Sequence, residues 1–208
     1  MAVEAGASAL GLVSRMPSGP GVITDELIAE IAATVPPPIG TFLLTCRQDV
    51  DEIVAQQRAC RTNTIQICDQ LTRGEHRDLK QALPGIAIVQ VVHVTGPESV
   101  EEAVAIAPWV DAILLDSGNQ KLPVKELGGT GRTHNWAISR EIRERIGVPM
   151  FLAGGLTPDN VAEAIETVGP FGVDLCSGVR TNGKLDPAKL TRFFGAINEI
   201  RHEAAVTR

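Results

Sequence analysis

The chain has 208 residues, of which 44% are hydrophobic and 21% charged, and its formal net charge is −6. This composition predicts a single domain over residues 1–208 with a full core. The negative charge argues against a general polyanion binder, so we expect no nucleic-acid partner, although a small anionic ligand is still compatible with it. The sequence contains no run of about 18 apolar residues, so we expect no membrane span. The four cysteines do not have the spacing of a metal site, so we expect free thiols in a reducing cytoplasm. We also expect neither a metal nor a cofactor.

Seven short apolar runs alternate with amphipathic stretches along the whole chain. The runs are continuously apolar, which is typical of strands that are buried on both faces of a parallel sheet. Two of the intervening helices have clear predicted starts, with Thr157 and Asp186 as N-caps and a proline directly after each. The alternation predicts a parallel sheet with helices outside it, either closed or open. The seven runs are residues 8–13, 41–46, 64–69, 86–94, 112–117, 150–155 and 172–178.

This count is one strand short of an eight-stranded TIM-type (β/α)₈ barrel. The chain begins on EAGASALGLV, which is typical of the end of a helix, a turn and then a strand, so the pattern calls for an earlier strand. We therefore expect unpaired edges on the strands that end at Val13 and Gly178. Exposed parallel edges are costly and sticky, so we expect a helix, residues 198–208 or a second subunit to cover the gap.

Small residues end the last two predicted strands. Gly154 and Gly155 follow one strand, and Ser177 and Gly178 follow the next. Glycines let the backbone approach a ligand, and loops of this kind after the final strands of a barrel commonly bind phosphate. Tight turns alone could explain one such loop, but two on consecutive strands favour a phosphate site.

Two other strand ends carry groups that could do chemistry. Asp116 follows three large apolar residues, where partial burial would suit a general acid, although an aspartate that caps a turn fits equally well. Cys68 could be a thiol that faces the barrel mouth, although an inert buried cysteine is the commoner case. After Asp116 comes a long loop with the residues Gly128, Gly129, Thr130, Gly131 and Arg132, which could cover a ligand.

These stretches resemble phosphoribosylanthranilate isomerase, an enzyme of tryptophan biosynthesis that performs an Amadori rearrangement on a (β/α)₈ barrel. The stretches that carry the resemblance are VDAILLDS (110–117), LGGTGRTHNW (127–136), FLAGGLTPDNVAEAI (151–165) and FGVDLCSGV (171–179). The resemblance implies that Asp116 is the general acid, that Gly154, Gly155, Ser177 and Gly178 hold the phosphate of a sugar substrate, and that the loop 128–131 lies over the substrate.

The sequence also departs from the pattern of that family. The family's general base is a cysteine on a first strand that this sequence does not contain. The family also has an arginine in the loop after its second strand, where this sequence has Gly21, and here the later strand that usually ends in QLHG ends in Gln66-Ile67-Cys68-Asp69. Three hypotheses therefore stay open: this isomerase, another phosphosugar enzyme in which Cys68 is the base, and a phosphosugar-binding or assembly protein without catalysis.

Overall fold

The structure, a computed structural model, describes the backbone of residues 1–206 and the side chains of residues 1–200. Seven strands form one parallel sheet in chain order, and each neighbour is reached through a helix on the outside. The strands are β1 (Ala9–Val13), β2 (Gly40–Thr45), β3 (Thr64–Ile67), β4 (Ala87–His93), β5 (Ala112–Asp116), β6 (Met150–Leu152) and β7 (Gly172–Val173). The predicted seven-stranded TIM-type fold is confirmed.

Eight α-helices lie in the described part of the chain. They are α1 (Ala2–Ala5), α2 (Asp25–Thr34), α3 (Val50–Cys60), α4 (His76–Ala82), α5 (Glu98–Ile106), α6 (Trp136–Arg145), α7 (Val161–Val168) and α8 (Pro187–Val206). A short hairpin of β8 (Arg180–Thr181) and β9 (Lys184–Leu185) stands between β7 and α8. No described helix has both the length and the apolar character needed to cross a bilayer.

Alternating residues of the strands pack either outward against the helices or inward inside the curled sheet, and Leu12 and Leu43 of β1 and β2 form a third, small outer cluster with Ile28. Outward side chains such as Ile67, Val92 and Leu115 pack with the helices in the larger core, which provides most of the buried apolar area. Inward side chains such as Val91 and Leu114 form a smaller cluster inside the curled sheet. This alternation decides which residues at the strand ends face the mouth of the barrel.

The sheet does not close, because β1 and β7 have no strand partner on their outer edges within the described residues. Ala9 and Gly11 of β1 are exposed as a result. The expectation of unpaired edges is therefore confirmed.

Two segments border the gap. At the carboxyl end of β1 the chain folds back, and the Ile23 N–H donates to the Val13 carbonyl at 2.9 Å. At the amino end, helix α1 packs on α8, where a Cβ on Gly6 would lie 3.4 Å from the Phe194 ring. A helix thus covers part of the gap, as one alternative had it. The side chains of residues 201–208 lie outside the described part, and cover by a second subunit stays a prediction.

One predicted helix start is correct and the other is wrong. The Asp186 carboxylate accepts hydrogen bonds from the Ala188 and Lys189 N–H groups, at 3.0 and 3.2 Å, and α8 begins at Pro187. Helix α7 begins at Val161 rather than after Thr157. The Asn160 side chain accepts from the Thr157 N–H at 2.8 Å and donates to the Gly155 carbonyl at 3.0 Å, so residues 157–160 form a separate turn.

Candidate functional site

A cleft opens at the carboxyl ends of β5, β6 and β7, and it collects most of the residues that the sequence singled out. A larger cavity, of about 400 Å³, lies on the outside of the barrel between α4 and α5, but it contains none of the candidate site residues. The cleft is lined by Asp116, Gly129, Thr130, Gly131, Ala153, Gly154, Gly155, Leu156, Asp174, Leu175, Cys176 and Ser177.

Gly154 and Gly155 form a tight loop after β6, with left-handed φ angles of 84° and 63° that favour glycine. A Cβ on Gly155 would lie 2.5 Å from the carbonyl carbon of Arg132, so this loop packs directly against the loop after β5. Within the described residues, neither glycine N–H has a hydrogen-bond acceptor. Two unpaired backbone donors at the edge of a cleft suit an anion.

Ser177 and Gly178 approach the same loop from the end of β7. A Cβ on Gly178 would lie only 1.9 Å from the Leu156 carbonyl oxygen, so the two strand ends touch through a position without a side chain. The Ser177 hydroxyl lies 3.8 Å from the place of a Cβ on Gly131. The structure therefore brings the four predicted phosphate residues and the glycine loop after β5 together.

Asp116 ends β5 on the inward face and is only 7% exposed. Its carboxylate accepts a hydrogen bond from the Ser117 N–H at 2.7 Å, and its other oxygen would lie 2.9 Å from a Cβ on Gly128. The Ser117 and Thr130 hydroxyls are 2.7 Å apart. These contacts fix the carboxyl group at the floor of the cleft, below the loop 128–131.

Asp174 is a second carboxylate in this cleft, and the sequence patterns did not single it out. Burial, with the nearby charge of Asp116 as a smaller cause, raises the pKa of Asp174 to about 6 from its usual 3.8. A signal was present, since GVD ends an apolar run with an aspartate as ILLD does at Asp116. A carboxyl group with a raised pKa beside a second carboxylate is a common arrangement for acid–base work.

Cys68 lies on the inward face beyond β3 and is 2% exposed, with its sulfur 3.7 Å from the Gln66 carbonyl. Burial, and next the charge of Asp116, raise the pKa of this thiol far above its usual range. The thiol form therefore predominates at neutral pH, which makes Cys68 a poor proton acceptor.

Comparisons with known proteins give the same picture as the geometry. The family model for N-(5′-phosphoribosyl)anthranilate (PRA) isomerase matches residues 2–196. The chain belongs to this family. The N-(5′-phosphoribosyl)anthranilate isomerase 2 of Methanosarcina mazei is 36% identical over 195 residues, which cover 93% of this chain and 85% of that protein. The isomerase of Haloferax volcanii is 36% identical over 193 residues, covering 92% and 83%.

Solved structures of the family share the fold. The Thermotoga maritima phosphoribosyl anthranilate isomerase superposes with a TM-score of 0.76 at 28% identity, covering 95% of this chain and 91% of that one. A second structure is a phosphoribosyl anthranilate isomerase in complex with reduced 1-(o-carboxyphenylamino)-1-deoxyribulose 5-phosphate. It has a TM-score of 0.73 at 26% identity, covering 95% and 91% of the two chains.

Two histidines of this PRA isomerase family member also border the mouth. The Nδ1 atoms of His93 and His134 are buried without a hydrogen-bond partner among the described residues. His134 bonds Ser139 through Nε2 at 2.7 Å, and its Nδ1 would lie 3.0 Å from a Cβ on Gly154. Burial lowers the pKa of His134, with Asp116 opposing the shift, so the neutral ring predominates beside the glycine loop.

The β1–α2 loop crosses the mouth from the open side of the sheet. The Ser18 hydroxyl donates to the Lys125 carbonyl at 2.8 Å, and Pro20 would lie 2.8 Å from a Cβ on Gly129. The Arg180 Nη2 lies 3.9 Å from the place of a Cβ on Gly21. This loop therefore joins the glycine loop after β5 to the end of β7.

Proposed function

We propose that this chain catalyses the aldose–ketose isomerisation of N-(5′-phosphoribosyl)anthranilate. One observation carries the proposal: Asp116, the residue matched to the family's general acid, shares a cleft with Asp174 and with both glycine-bearing strand ends. Membership of the family and the ligand of the solved relative support the choice of substrate. The four free cysteines fit work in a reducing cytoplasm.

The phosphate group would anchor the substrate. Its oxygens would accept hydrogen bonds from the N–H groups of Gly154 and Gly155, with the Ser177 hydroxyl on the opposite side. Gly154, Gly155 and Gly178 have no side chain that would stand between the backbone and the proposed position of the anion. An anchored phosphate holds the ribose next to the two carboxylates, which lowers the entropic cost of reaching the reactive geometry.

Ring opening would begin at Asp116. The Asp116 carboxyl, once it has taken up a proton from solvent, would donate that proton to the ring oxygen of the ribose while the bond between that oxygen and C1′ breaks. The lone pair of the anthranilate nitrogen forms the C1′=N bond, which gives an open-chain iminium ion. A positioned acid typically accelerates such a step by about 10²–10⁴-fold.

Proton removal from C2′ would fall to Asp174. The carboxylate accepts the C2′ proton, and the electron pair of that C–H bond forms a C1′=C2′ double bond as the C=N electrons return to nitrogen. The enol then gives the ketone at C2′ when Asp174 returns its proton to C1′ and the enol O–H proton passes to solvent. With a pKa of about 6 Asp174 is mostly ionised at neutral pH, whereas the Cys68 thiol is not.

The test is turnover of N-(5′-phosphoribosyl)anthranilate, followed as loss of substrate fluorescence. We expect turnover by the wild-type chain and its near-complete loss in Asp116→Asn, with binding of the reduced product analogue preserved. A second candidate function, phosphosugar binding without catalysis, is favoured by the state of Cys68, whose buried thiol is un-ionised at neutral pH and cannot act as the base. Tight analogue binding with no wild-type turnover would establish that second function instead.

A further inference from the structure

The proposed substrate carries two anions, and the glycine loops account for only one of them. The analogue bound by the solved relative has a carboxyphenyl group in addition to its phosphate. A carboxylate that leaves water for a protein cleft needs charge-assisted hydrogen bonds, and a guanidinium group supplies them in a fixed fork. The second anion therefore calls for a cation at the mouth.

Two cations of the loops at the mouth are already paired with carboxylates. Lys125 forms an ion pair with Asp69, and Arg132 forms one with Glu126. Their charge is largely neutralised by these partners, so neither is a ready ligand for a further carboxylate.

Arg180 differs from both. Its guanidinium is in no ion pair with a carboxylate among the described side chains, and its Nε is buried without a hydrogen-bond partner. Only Nη1 has a described acceptor, the Gly183 carbonyl at 2.8 Å. A buried N–H donor without an acceptor costs free energy unless a ligand satisfies it.

The position of Arg180 also fits the open side of the cleft. It comes two residues after Gly178, and its Nη2 lies 3.9 Å from the place of a Cβ on Gly21, in the loop that crosses the mouth. Gly21 has a left-handed φ of 85° and leaves this space free of a side chain. Gly21 is also the position at which the resembling family carries its arginine, so Arg180 brings a guanidinium to the same place from the opposite strand end.

We propose that Arg180 binds the carboxylate of the substrate's aromatic part and thereby determines specificity for an anionic aromatic amine. The inference rests on the proposed function for the identity of the substrate. It assigns a residue of β8 to the aromatic half of the substrate, which the glycine loops do not contact.

The test uses binding, so it needs no turnover. Three probes are titrated calorimetrically into the full chain: the reduced product analogue, its counterpart lacking the ring carboxylate, and inorganic phosphate. A charge-assisted hydrogen bond contributes enough that we expect the carboxylate to tighten wild-type binding by roughly 10–100-fold. In Arg180→Gln this ratio should fall to near one, while the affinity for inorganic phosphate stays within about twofold.

Two further variants keep the result interpretable. Arg192→Gln removes an equal charge from an exposed arginine that pairs with Asp159, and it should leave the ratio unchanged. Arg180→Lys keeps the positive charge but not the planar fork of donors, so the affinity ratio in this variant should be several-fold smaller than in the wild type. This variant provides the test if Arg180→Gln is unfolded at the assay temperature.

Other outcomes overturn the inference. Loss of phosphate affinity in Arg180→Gln with an intact carboxylate ratio would place Arg180 at the phosphate instead. An unchanged ratio in a folded Arg180→Gln, or its collapse in Arg15→Gln on the exposed β1–α2 loop, would remove Arg180 from recognition. A wild-type chain that binds the analogue without turnover would refute the isomerase proposal while leaving this one to be decided by the ratio.

Discussion

The two sides of the cleft are built very differently. On the side of β5 and β6 the loops touch each other through glycines, as where Gly155 meets Arg132, and every residue of β5 is buried. On the opposite side β1 and β7 have no strand between them, and Gly11 is exposed. The first side holds its groups by close packing, and the second depends on a loop and on side chains that reach in.

This difference separates binding from chemistry. On the closed side, we expect the backbone donors after β6 to bind the phosphate. On the open side, we assign the proton acceptor to Asp174, directly after β7, and the contact to the carboxylate of the aromatic part to Arg180 in β8. A substitution on one side should therefore change the function of that side and leave the function of the other side largely intact.

The largest effect is expected from Asp116→Asn. Loss of the proton donor should lower kcat by roughly 10²–10⁴-fold, because the ring oxygen then leaves without protonation. The affinity for the reduced product analogue should change little, since the phosphate loops are intact. Steady-state kinetics and calorimetry measure the two quantities, and a variant with near wild-type kcat would contradict the role of Asp116.

Gly178→Ala should disrupt the contact between the chain after β7 and the loop after β6. The added Cβ would meet the Leu156 carbonyl at 1.9 Å, so the two strand ends must move apart and the phosphate donors lose their alignment. We expect the Kd for inorganic phosphate to rise about tenfold or more, by loss of one or more charge-assisted hydrogen bonds. Gly147→Ala, where nothing lies within 4 Å of the added carbon, is the matched control and should bind normally.

Asp174→Asn should raise thermal stability at neutral pH. The pKa of Asp174 is raised in the folded protein, so the group favours folding below its unfolded pKa of 3.8 and that contribution is lost as pH rises through about 6. At pH 7.5 the neutral amide avoids the cost of a buried charge, and the melting temperature should rise by roughly 2–4 °C.

The gain from Asp174→Asn should shrink below about pH 4, where the wild-type carboxyl is protonated. Melting curves of both proteins at pH 4 and pH 7.5 measure this, with the exposed Asp159→Asn as control. A pH-independent difference would show that titration of Asp174 is not its cause.

Cys68→Ser should have the smallest effect on catalysis. The thiol is buried and un-ionised at neutral pH, so it cannot act as the base, and kcat should stay within about twofold. Some stability should be lost, because a hydroxyl is more costly to bury than a thiol, and melting curves measure this loss separately. A lower kcat in a variant that remains folded would support a role for Cys68 as the base.

The sequence was sufficient for much of this account. Continuous apolar runs predicted the seven strands, and the rule that strand ends share one face predicted that Asp116 and Gly154 meet Ser177. Thr157-Pro158 misled because the same residues make an isolated turn, and the Asn160 side chain that closes this turn acts only in three dimensions. The proximity of Arg180 to Gly21 depends on the route of the β1–α2 loop, which no local pattern specifies.

The most direct test of the central claim, that Asp174 at the open side acts as the base, is the pH dependence of kcat for the wild-type chain and for Asp174→Asn. The account predicts that wild-type turnover rises with pH through an apparent pKa near 6, because the carboxylate is the active form. It also predicts that the variant loses turnover by roughly 10²-fold or more across the range. Full turnover by Asp174→Asn, with the same acid limb, would contradict it.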